Sequence, residues 1–102
     1  MTYEERLMTG APVIDAHHHK VGTVADVLIE HRMVAPRWLI VKTGVLGGEH
    51  VVPLESGYVD TEGCLVLELE KADIKHAPHP PRNHFLTPQM RAELRDYYGA
   101  PA

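Results

Sequence analysis

Three adjacent histidines, His17, His18 and His19, follow Asp15, and a second acid–imidazole pair, Glu49 and His50, stands later in the chain. Imidazole and carboxylate are good ligands for zinc and nickel, so Asp15, His17, His18 and His19 are the candidate metal ligands. The spacing argues against them. Consecutive residues of an extended turn cannot all converge on one ion, and the spaced pairs of zinc motifs are absent. A solvated turn is the expected role, with metal or small-ligand binding by the same turn as the alternative.

Other reactive groups form no recognisable constellation. The eight histidines are dispersed, and there is no nucleophile elbow, paired-carboxylate motif or Cys–His signature. Cys64 falls in a β-rich run, where a small packing residue is expected rather than a nucleophile. The Gly-rich stretch 43–48, TGVLGG, invites comparison with a phosphate loop, but Glu49 follows it in place of Lys and Ser or Thr. The continuation is a strand, so the glycines are read as a turn with positive φ. The expectation is a protein that is not an enzyme and carries no cofactor.

Composition narrows the partners. In 102 residues, 44% are hydrophobic and 24% charged, which suits one globular domain. The formal charge is −4 and the ten Lys and Arg are scattered, leaving no basic stripe for a nucleic acid. A single cysteine fits a reducing compartment. The apolar runs fall far short of the ~20 residues of a membrane span. Acidic residues near the N-terminus replace the bases of a secretory signal. A cytoplasmic protein with no membrane span is expected.

The elements that must position these residues centre on 20–30, KVGTVADVLIE, which reads as a long strand. Simple alternation puts Val21, Thr23, Ala25, Val27 and Ile29 on one face and Val24 and Leu28 on the other. Gly22 marks a bulge, a bend or a close backbone approach. The strand is expected to end near Arg32, with a connection at 33–36. A short strand at 12–15 precedes it, after a polar lead-in at 1–10 with one helical turn over 3–8.

The run 37–43, RWLIVKT, is apolar on both faces, Leu39 and Val41 against Trp38 and Ile40, and so needs cover on two sides. Strands at 49–54, 58–60 and 64–70 follow, the last alternating Leu65, Leu67 and Leu69 with Val66 and Glu68. A helical turn at 72–76 leads into a Pro-rich linker at 78–86. Thr87 is a helix N-cap, Pro88 a first helical residue and Gly99 a stop, bracketing a helix over 87–99. Its stripe, Met90, Leu94 and Tyr97 or Tyr98, is too short to persist undocked. One tyrosine is expected to pack and the other to be exposed.

Val21-Gly22-Thr23-Val24-Ala25-Asp26-Val27-Leu28-Ile29, then Trp38-Leu39-Ile40-Val41, Val51-Val52-Pro53-Leu54 and Cys64-Leu65-Val66-Leu67, follow an ordered pattern of short motifs. In it the chain resembles the PRC-barrel family, named from the cytoplasmic domain of the photosynthetic reaction-centre H subunit, with a related barrel in ribosome maturation factors. The resemblance covers 10–80, and the helix resembles the tail of stand-alone bacterial members. It implies a mainly β fold, a small, mostly antiparallel barrel over 11–77, acting through protein contacts with no catalytic residues to carry over. His18 stands where the family's first turn holds Gly, so a positive φ is expected there.

The function that follows is a non-enzymatic protein-interaction module, an adaptor or assembly factor, whose partner is an unidentified protein or a second copy of the chain. Trp38, Ile40, Met90, Leu94 and Tyr97 are its candidate interface residues. The helix is expected to cover the Trp38 and Ile40 face, within its own chain or across a dimer.

Overall fold

The strand with two apolar faces organises the molecule. In the computed structural model, which describes residues 9–30, 37–44 and 47–99, it is β3 (Trp38–Lys42). Leu39 and Val41 enter an inner cluster, while Trp38 and Ile40 enter a separate outer one. β4 (Glu49–Pro53) divides in register, with Val52 opposite Leu39 and Val51 opposite Ile40. Both faces are therefore dry, as the sequence of this strand requires. The expected helical turn at 3–8, the connection at 33–36, and Val45 and Leu46 lie outside the described residues. The strand from Lys20, expected to run to near Arg32, ends at Val27, with an isolated bridge at Ile29 beyond it.

β1 (Pro12–Ile14), β2 (Lys20–Val27), β5 (Gly57–Val59) and β6 (Leu65–Leu67) complete a sheet of order β4-β3-β2-β1-β6-β5. Four of its five pairings are antiparallel, and β1 with β6 is parallel. All six strands line the inner cluster, with Val59 contributing from β5. The fold is mainly β, but the expected closed barrel is replaced by an open mixed sheet. A physical reason lies at β4. Its outer edge is taken by the Pro-rich segment, where the Pro78 carbonyl accepts from Val51 N–H at 2.9 Å and His79 Nδ1 lies 2.7 Å from the Glu49 carbonyl.

The faces of β2 also differ from simple alternation. Its register slips once against β1, between Val13 and Ile14, and once against β3, between Val24 and Asp26. Each bulge inserts a residue and reverses the faces beyond it. Val21, Val24 and Val27 consequently share the inner cluster, while Ala25 and Leu28 turn to the outer one. Gly22 sits beside the first slip, as a strand glycine there suggests.

α1 (Lys71–Lys75) opens with a capping box between Glu70 and Asp73 and is anchored in the inner cluster by the fully buried Ile74. α2 (Pro88–Tyr98) starts where its cap signals place it, with Thr87 Oγ1 accepting from Met90 N–H at 3.0 Å. Gly99 follows it with φ 83°. Among the described residues no helix is long and apolar enough to cross a membrane.

Candidate functional site

The histidine turn is organised by Asp15. Its carboxylate is 1% exposed, and Oδ1 accepts from the backbone N–H of His17 at 2.9 Å and of His19 at 2.8 Å. Burial works against ionisation, yet these two N–H groups together with the His19 and His17 charges outweigh it and hold the carboxyl below its usual range. The side chains diverge. His17 Nε2 reaches Glu70 at 3.3 Å, and the His17 and His19 rings stand 6.4 Å apart. Asp15 thus shapes the turn, with Oδ1 committed to backbone donors and Oδ2 3.8 Å from His19 Nδ1. His18 has φ 65°. His18→Gly should leave stability unchanged or raise it by up to about 1 kcal/mol, the cost of αL for an L-residue; urea denaturation measures it, and a clear loss would mean the imidazole itself holds the turn.

The candidate interface residues meet one another within the chain. Met90 and Leu94 of α2 pack on Trp38, Ile40, Val51 and Leu28, with Leu86 at the margin. The third position of the stripe is Tyr98 rather than Tyr97. Tyr98 stacks 6.0 Å from Trp38, and its hydroxyl donates to the Val51 carbonyl at 2.6 Å. Burial pushes that phenol well above its ordinary pKa. Tyr97 is 37% exposed, its hydroxyl donating to the Asp73 carbonyl and its ring set edge-on to Tyr98. The i, i+4, i+8 progression from Met90 and Leu94 leads to position 98, which decides the choice.

A pair that sequence spacing did not reveal joins the Pro-rich segment to β2. His84, with φ 61°, donates from Nδ1 to Asp26 Oδ2 at 2.9 Å, and its Nε2 lies 3.4 Å from Glu49 Oε1. The hydrogen bond to Asp26 raises the His84 pKa, and the same bond lowers that of Asp26. The two residues are 58 apart in the chain, and neither stands in a motif. The expected Pro-rich linker is held to the sheet on both sides of this histidine.

The sign of its pH dependence follows from those directions. The raised His84 pKa gives stability that is complete below about 6.5, the ordinary histidine value, and is lost as pH rises through the folded value. The lowered Asp26 pKa gives stability present above about 3.9 and lost as pH falls through its folded value. His84→Asn tolerates the positive φ while removing the charge. It should cost on the order of 1 kcal/mol near pH 5.5, given the partial exposure of Asp26, and less near pH 8.5. Urea denaturation of both proteins at the two pH values measures it; an equal cost at both would assign the effect to shape.

Cys64 lies with Asp60 and Glu62, their ligand atoms within 4.8 Å of one another. Asp60 Oδ1 already accepts from the Glu62 and Cys64 N–H groups, both at 2.9 Å. Burial, then the Asp60 and Glu62 charges, push the thiol pKa up, the opposite of an activated nucleophile.

Phe85 is the other feature that the sequence did not single out. Its ring is 48% exposed, although the backbone around it is firmly bonded. Ile29 N–H donates to the His84 carbonyl at 2.8 Å, Leu86 N–H donates to the Ile29 carbonyl at 2.7 Å, and Phe85 N–H donates to Asn83 Oδ1 at 3.1 Å. Comparison with models of known protein families and with curated proteins finds no match to the chain.

Proposed function

We propose that this chain is a non-enzymatic protein-interaction module, an adaptor or assembly factor, related to the PRC-barrel family but built on an open sheet. The observation that carries the reading is Phe85, a large apolar ring standing in solvent on a backbone hydrogen-bonded at both neighbours. Aromatic side chains dominate binding energy at interfaces, and an anchor that is already ordered loses little entropy on binding. Trp38, Ile40, Met90 and Leu94 then serve the interaction indirectly, because their packing fixes α2 and the segment leading into it. The resemblance of the strand motifs to that family, whose members work through protein contacts, supports the same reading, and the single cysteine fits a cytoplasmic setting.

The partner is another protein or a second copy of this chain. Affinity capture from the native cell with wild type and Phe85→Ser in parallel, together with sedimentation of the purified proteins, tests it. The expected result is a partner, or a self-associated species, that is present with wild type and weakened about tenfold or more by the substitution. Binding that ignores Phe85→Ser, or no association in either measurement, overturns the proposal.

A further inference from the structure

Where the start of β2, the residues Thr43, Gly44 and Gly47 after β3, and α1 come together, the structure forms an open cavity of about 600 Å3. Its charged lining is of one sign. Lys20 enters from β2 and Lys71 and Lys75 from α1, and among the described residues no carboxylate lines it. This is notable in a chain with 14 acidic against ten basic residues. The ion pairs of the described residues use His17, His19, His84 and Arg91, and none of these three lysines. Lys71 and Lys75 are also spaced i, i+4 on one helical face, where like charges oppose folding. An anion in the cavity would relieve that repulsion.

The floor is built and polar. Thr43 and His50 line the cavity and are 3% and 4% exposed. Thr43 Oγ1 donates to the Gly47 carbonyl at 3.1 Å, and Thr43 N–H donates to the Gly48 carbonyl at 3.0 Å. The His50 ring lies between the Ala77 carbonyl, 2.8 Å from Nδ1, and the Gly47 carbonyl, 3.2 Å from Nε2. The Thr43 bonds and the one carbonyl to which the neutral imidazole donates bring Gly47, β4 and the residues after α1 together. Ile74, buried in the inner cluster, fixes the helix that carries two of the lysines.

We infer that this cavity is a binding site for a compact, phosphate-rich anion, of the size of pyrophosphate or a small phosphate ester. Three lysines supply mobile point charges with rotating donors, which suit tetrahedral phosphate, and among the described residues no arginine lines the site. Among the described residues no Phe, Tyr or Trp lines it, so these offer a nucleobase nothing to stack on. The volume falls within the range of small-molecule sites, about 300–1,000 Å3. This site is separate from the Phe85 surface and does not depend on it.

The test is calorimetric titration of the full chain with sodium pyrophosphate at low ionic strength, with citrate as a carboxylate polyanion for comparison. Wild type should bind pyrophosphate more tightly than about 1 mM and at least about tenfold more tightly than citrate. Lys71→Gln/Lys75→Gln alters two exposed positions and should weaken binding by about a hundredfold, roughly tenfold per ammonium. Arg82→Gln/Arg95→Gln removes equal charge from exposed sites outside the cavity and should change affinity less than about twofold to threefold. Circular dichroism checks that both variants fold. Absence of binding, equal loss in the two double variants, or equal affinity for citrate overturns the proposal.

Discussion

A chain cut after Pro81 is expected to aggregate, or to unfold far below the full-length protein. The cut removes Leu86, Met90, Leu94 and Tyr98, which cover Trp38, Ile40, Val51 and Leu28. Burying an aliphatic side chain of this size is worth about 1.5–3 kcal/mol, so three of them give on the order of 5 kcal/mol. A domain of this kind has only about 5–15 kcal/mol in total. The Tyr98 bond to β4 and the two bonds from Ile29 to the segment around Phe85 go as well. What remains is a sheet with a bare apolar face, which promotes association. Light scattering after size exclusion, with thermal denaturation, reads the result. An unchanged mass and melting temperature would mean that α2 contributes nothing to the fold.

Gly22→Ala is expected to destabilise the protein by about 3 kcal/mol or more. A Cβ on residue 22 would penetrate the carbonyl oxygen of Lys42 and lie 2.9 Å from its carbon and 3.0 Å from Thr43 Cα. Those atoms belong to the end of β3, which pairs with β2 through Thr23 and Lys42. Relief therefore requires the two central strands to separate, not a side chain to turn. Alanine's advantage over glycine in a strand, roughly 0.5–1 kcal/mol, acts in the other direction and is too small to compensate. Urea denaturation measures the difference. A variant as stable as wild type would refute the close approach of the two strands.

The sequence was most legible where one local pattern had one structural meaning. The two-faced run Trp38, Leu39, Ile40, Val41 could be satisfied only by cover on both sides, and α2 supplies the outer cover. Thr87 and Pro88 started that helix unambiguously. The faces of β2 were misread because alternation carries no mark of the extra residues at its two bulges. The Pro-rich stretch was legible only as a linker, since composition does not reveal that its carbonyls and histidines bond to β4, β2 and Ile29. The open sheet follows from the same blind spot, because the segment occupies the edge that a closing strand would use. Among candidate sites, the adjacent histidines attracted notice by type alone. The lysines of the cavity are ordinary in sequence and meaningful only once β2 and α1 are brought together.

The parallel pairing of β1 with β6 also sets an order of events. Val13 and Ile14 find Leu65 and Val66 across about half the chain, whereas the other strand pairings join neighbours in sequence. Contacts this remote close late, because a long loop must be drawn in before any bond rewards it. A polypeptide leaving the ribosome can therefore assemble β1 to β4 while the far side of β1 still offers its backbone to any passing strand. Until residues 65 and 66 emerge, that vacant side is open to mispairing, as the outer edge of β4 is until residues 78 and 79 follow, and a chaperone would have both to shield.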